Sequence, residues 1–126
     1  MADREIKLVE ADGPVTFRID AKFLEHVVWS LLLYDTEGHN GKEVASSVSA
    51  DHKPDEYPFP EVVTNLKNRM LVWRVWVGPL TSPQPGASQK HLVNVTFSQK
   101  GRPVSGGRFS YEDRAVFADV ARFITS

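Results

Sequence analysis

Asp20-Ala21-Lys22-Phe23-Leu24-Glu25-His26-Val27-Val28-Trp29-Ser30-Leu31-Leu32-Leu33-Tyr34 is the stretch on which the fold class turns. Asp20 stands where a helix cap belongs, because its carboxylate can accept the free N–H groups of a first turn. At about 100° per residue, Phe23, Leu24, Val27, Val28, Leu31, Leu32 and Tyr34 fill one broad arc. Lys22, Glu25, His26 and Ser30 lie opposite. The stretch 21–34 therefore reads as an amphipathic helix, which places the chain in the α+β class. Two residues sit badly on that helix: Trp29 and Leu33 fall on its polar side, where large apolar groups need a cover. Together with His26 they share one side, as a self-complementary contact between two copies would require, so His26, Trp29 and Leu33 form the candidate dimer interface of a homodimer. The competing cover is the segment that follows, folded back over them.

On the N-terminal side, Ile6 to Glu10 and Val15 to Ile19 flank Ala11-Asp12-Gly13-Pro14, a turn composition, and read as a hairpin. On the C-terminal side, 35–60 is the most polar part of the chain, with serines at 46, 47 and 49 and prolines at 54, 58 and 60. It reads as a long loop, partly disordered or concealing a short element around 43–49. Pro60 suits the first turn of a short helix over 61–69, with Val62, Val63 and Leu66 inward.

Met70 to Val77 (Met-Leu-Val-Trp-Arg-Val-Trp-Val) is the densest β-branched and aromatic run. At period two, Leu71, Trp73, Val75 and Val77 share one face and Val72, Arg74 and Trp76 the other. His91 to Ser98 alternates in the same way. Gln99-Lys100-Gly101-Arg102 is a turn, and 103–109 is a weaker strand in which Gly106 and Gly107 signal a bulge or a close backbone approach. The last helix follows Ser110, with Phe117, Val120, Ala121 and Ile124 as its apolar stripe. The expected fold is thus α+β: a mainly antiparallel sheet, made of an N-terminal hairpin and a three-stranded C-terminal meander, with two main helices packed on one face.

Composition narrows the functional classes. A chain of 126 residues fits a single domain, 1–126, that buries roughly two thirds of the surface of its unfolded form. Fifteen basic against sixteen acidic residues leave no global field to attract nucleic acid, so a nucleic-acid partner is not expected. The absence of cysteine excludes disulfides, thiolate nucleophiles and cysteine-ligated metals. No apolar run is long enough to span a membrane as a helix, and the cytoplasm is the expected compartment.

A second surface, besides the Trp29 side of the helix, has the composition of a binding site. If the three C-terminal strands pair as a meander, Trp73, Val75, Val93, Val95 and Phe97 face the helices, while Arg74, Trp76, Asn94, Thr96 and Arg108 form the opposite, partner-binding face. Arg beside Trp suits an interaction hot spot, since the ring offers rigid area and the guanidinium a planar fork of donors. The plainer reading is a solvated cross-strand Trp–Arg pair.

Other constellations are weaker. Asp35, Glu37 and His39, with Asp51, His52, Asp55 and Glu56, are hard ligands in one segment, but their spacing matches no calcium loop or zinc motif, and no metal or cofactor is assigned. Ser105-Gly106-Gly107-Arg108-Phe109-Ser110 precedes the expected last helix, where an anion could sit. No catalytic residue is assigned to any of His26, His39, His52 or His91, because a single sequence does not bring a histidine to a nucleophile. The expected function is a small non-enzymatic protein-interaction domain, of the adaptor, inhibitor or immunity type, binding a protein partner through an aromatic and arginine surface. The alternative is a small-molecule-binding protein or enzyme with a pocket between sheet and helices, drawing on Arg74, His91 and the loop at 78–90.

Overall fold

The computed structural model describes residues 4–21, 25–48, 55–79, 92–112 and 116–125. They form nine strands: β1 (Arg4–Leu8), β2 (Thr16–Ala21), β3 (Glu25–Leu33), β4 (Lys42–Ser46), β5 (Glu56–Pro58), β6 (Met70–Pro79), β7 (Leu92–Gln99), β8 (Arg102–Glu112) and β9 (Val116–Thr125). One turn of helix, α1 (Val63–Leu66), and a 3-10 turn over Glu10–Asp12 complete the described elements. All nine strands join one sheet in the order β4-β3-β6-β9-β1-β8-β7-β2-β5. Every described pair is antiparallel except β1 with β9.

The sheet curls almost into a barrel. Phe17 on β2 and Trp29 on β3 lie six places apart in strand order, yet their ring centroids are 4.9 Å apart. Trp73 on β6 and Phe97 on β7, four places apart, meet across the interior at 5.5 Å. The interior is filled by side chains, as expected of a small barrel. Trp29, Trp73, Phe17, Phe97 and Phe123 are essentially inaccessible and interlock in tilted and edge-to-face pairs, the geometry that ring quadrupoles favour. At one end Phe59 and the α1 residues Val63 and Leu66 plug the barrel, with Phe59 edge-on to Phe123 at 5.7 Å.

This architecture overturns the α+β expectation. Neither main helix exists: 25–33 and 116–125 are strands. Trp29 and Leu33, the two misfits on the helical wheel, fall into place at period two, with Trp29, Leu31 and Leu33 inward and Val28, Ser30 and Leu32 outward. The helical stripe of the last segment is likewise split, Phe117 and Ala121 entering the core while Val120 and Ile124 are half-buried. Short apolar runs satisfy both periods locally, and what selects the strand here is pairing at a distance: β9 lies between β6 and β1.

The pairings also differ from expectation. The N-terminal runs are strands, but β1 pairs with β9 and β8 while β2 pairs with β7 and β5, so they form no hairpin with each other. The meander is reduced to the β7–β8 hairpin, because β6 lies between β3 and β9. Its turn is Lys100-Gly101, both with positive φ (51° and 72°), the two-residue geometry that matches strand twist. The 35–60 segment carries β4 and β5, and the 61–69 helix is the single turn α1.

The expected glycine device is present. Gly106 has φ 73°, and a Cβ there would stand 2.2 Å from the Glu5 carbonyl oxygen. It sits where β8 shifts register against β7, between the Thr96–Arg108 and Ser98–Pro103 pairs, and where Ser105 turns to pair with Lys7 of β1. Two side-chain clusters tie distant strands together. Buried Gln99 donates from Nε2 to the Val9 and Gly13 carbonyls (2.9 and 2.7 Å) and accepts from the Val9 N–H (2.9 Å), clamping the 3-10 turn. Trp73 Nε1 donates to the Tyr111 hydroxyl (3.0 Å), which donates to Asp119 (2.7 Å), itself paired with Arg4. Burial first, and then the bond to Asp119, push the Tyr111 phenol well above its ordinary range.

Candidate docking face

The outer wall of β3, β6 and β9 is a nearly apolar grid whose rows are set by strand register. Val28, Trp76 and Val116 stand side by side, then Ser30, Arg74 and Ala118, then Leu32, Val72 and Val120. Outward residues of an antiparallel sheet normally meet water and are polar. Here seven of the nine are apolar, and the first row carries two large exposed ones: Trp76 is 48% and Val116 70% accessible. Beyond β3, the Ser47 N–H donates to the Trp29 carbonyl (2.9 Å), continuing the β4 column past its last strand residue and presenting Val48 at 84% exposure. Between Val48 and Trp76 runs an open groove of about 550 Å³ floored by Val28 and rimmed by Arg74 and Glu43.

Arg74 and Trp76 thus occupy the exposed face that their alternation implies, while Leu71, Trp73, Val75 and Val77 are buried. The Arg74 side chain makes no hydrogen bond or ion pair with any described residue, and the same holds for the Glu43 side chain. Such a guanidinium, two residues from a half-exposed indole, can supply directed hydrogen bonds to a carboxylate beside a large apolar contact.

The remaining members of the expected face are elsewhere. Asn94, Thr96 and Arg108 line a separate depression of about 320 Å³ on the outside of β7 and β8, well away from β6 in sheet order. Asn94 Oδ1 there accepts a hydrogen bond from Ser110 Oγ at 2.6 Å. The meander that would have joined the two groups does not form. The candidate dimer interface of His26, Trp29 and Leu33 loses its helix: Trp29 and Leu33 are each 1% exposed and belong to the core. His26 pairs by backbone with Gly78 on β6, and its side chain lies outside the described residues.

Among the described residues no group of three acidic or histidine side chains could hold a metal. Asp35 instead shapes the β3–β4 loop. Its Oδ1 accepts from the Glu37 and His39 N–H groups (2.9 and 2.8 Å) and its Oδ2 from Asn40 Nδ2 (2.9 Å). The His39 N–H above all holds the Asp35 carboxyl below its usual value. Asp51, His52 and His91 lie outside the described residues. The run 105–110 lies within β8 and leads into no described helix, so the helix-terminus anion site loses its basis. The pocket between sheet and helices loses its setting, because neither expected main helix forms, and residues 80–90 of the loop assigned to it lie outside the described residues.

Sequence reasoning missed Val28, Val48, Val116 and Ala118. Val28 and Val116 lie in runs that read equally as helix, since their apolar residues satisfy period 3.6 as well as period two, and no local signal recovers them. Comparison with protein-family models, curated proteins and solved structures finds no match for this chain. Among the described residues no helix is long and apolar enough to cross a membrane.

Proposed function

We propose that this protein is a non-enzymatic protein-interaction domain that docks its partner on the outer wall of β3, β6 and β9. The observation that carries this reading is the Val28–Trp76–Val116 row, an exposed apolar strip beside an arginine that pairs with no described residue, on a wall where water would ordinarily select polar residues. Trp and Arg are the residue types that concentrate binding energy when a partner removes water from around them. The near-neutral net charge favours a protein over a nucleic acid as that partner, and the cytoplasm is the compartment we assign to the encounter.

The test is a photo-crosslinking amino acid placed at position 76 and, as a control on the far wall, at position 18. A protein adduct at 76 that wild-type chain competes away and W76A/V116D chain does not is the expected result. Equal adducts at 18 and 76, or none at 76, would overturn the proposal.

A further inference from the structure

Resting on that reading, we infer that the occupant of this face is a second copy of the same chain, related by a two-fold axis that runs parallel to the strands above β3. The patch carries both halves of a contact. It has a projecting knob, Trp76, and a groove of about 550 Å³ beside it; it also has a cation, Arg74, and an anion, Glu43, neither of which pairs within the described chain. A surface that meets its own copy must be self-complementary in this way, each residue contacting a partner that contacts it in return.

The register gives the geometry. β4 and β6 flank β3 on either side, so an axis above β3 lays the β6 column of one copy over the β4 column of the other. Arg74 stands in the row of Ser30 and Ser46, and Glu43 in the next row, opposite Leu32. The two are therefore offset by about 7 Å along the strands, across facing sheets about 10 Å apart, a gap that an arginine and a glutamate can bridge. The same operation brings Trp76 over the second copy's Val48, because the Ser47–Trp29 hydrogen bond sets Val48 in the row of Val28 and Trp76. Two exposed apolar groups of each chain then cover each other, and each arginine meets a glutamate, twice over by symmetry.

The outer wall of a barrel is convex, which confines contact to this knob, groove and ion pair.

Sedimentation velocity over a wide concentration range tests the inference, with Trp fluorescence as a second signal. Trp29 and Trp73 are already buried, at 1% and 0% exposure, so a concentration-dependent blue shift reports Trp76 alone. Wild type is expected to pass from monomer to dimer. R74E and E43R should each weaken self-association at least tenfold with unchanged circular dichroism, since both positions are exposed. An equimolar mixture of R74E chain and E43R chain should recover it, because each new glutamate then meets a new arginine, and the double variant R74E/E43R should self-associate again. A wild type that stays monomeric, or a dimer indifferent to both charge reversals, would overturn the inference. The docking proposal would still stand if position 76 crosslinks to a different protein, and it falls only with the crosslink itself.

Discussion

Replacing Gln99 by leucine, which has nearly the same volume, should lower the stability of the fold by about 3 kcal/mol. The side chain is 3% exposed and makes three hydrogen bonds with the strap between β1 and β2, two from its amide nitrogen to the Val9 and Gly13 carbonyls and one to its oxygen from the Val9 N–H. Each such bond contributes roughly 1 kcal/mol net, and each backbone group left behind loses its partner in a site that water reaches only in part. In Gln99→Leu the transfer of an apolar side chain offsets some of the loss. Three bonds at about 1 kcal/mol therefore set the scale, and for a domain of this size that is roughly a 10 °C fall in Tm. Urea unfolding followed by circular dichroism measures it, with an unchanged slope showing that the change lies in stability and not in compactness. Gln99→Glu sharpens the test. At neutral pH its carboxylate would face two carbonyl oxygens and donate to neither, so its loss should exceed that of leucine and shrink as acid protonates the group. A loss below about 1 kcal/mol in Gln99→Leu, or a Gln99→Glu variant insensitive to acid, would refute the clamp.

Gly106→Ala should cost several kcal/mol or prevent folding, because the new Cβ would strike the Glu5 carbonyl at 2.2 Å in a left-handed backbone; refolding yield and Tm measure it, against a Gly101→Ala control that meets nothing within 4 Å. Tyr111→Phe should lower stability by about 1–3 kcal/mol by orphaning Trp73 Nε1, with unfolding by urea as the measure. Because the folded state holds the Tyr111 phenol above its ordinary value of 10.0, that stability is fully present below pH 10 and is lost as pH climbs beyond it; the phenylalanine variant should lack this alkaline limb. Asp35 should titrate below its ordinary 3.8, with its contribution present above that pH and lost as acid passes it, and NMR of the Glu37 and His39 amides should show the loop releasing in the same range. Amide signals unmoved by that titration would remove Asp35 as the loop's organiser.

The candidate site was half legible. Arg74 and Trp76 share one face because residues two apart on a strand point the same way, which needs no neighbour to see, whereas the sheet decides that this face is the exposed one. Their companions were not legible. Asn94, Thr96 and Arg108 would share that face only if strands next to each other in sequence paired, whereas β6 and β7 stand on opposite walls of the barrel. Val28 and Val116 join Trp76 through the β3–β6 and β6–β9 registers, which link residues 48 and 40 positions apart.

The sequence by itself determined what is local: the alternation of β6 and β7, the Lys100-Gly101 turn, the close approach at Gly106, and the chemistry excluded by the lack of cysteine. It did not determine that 25–33 and 116–125 are strands. A run such as Val-Val-Trp-Ser-Leu-Leu-Leu can bury an apolar face at period 3.6 or at period two, and the difference in local propensity is small beside the burial that pairing brings. Only the tertiary structure decided between them. β3 and β9 each lie against β6, so that Trp29, Leu31, Phe117 and Ala121 enter one interior, and the residues left outside on the same strands become the face that this protein offers to a partner.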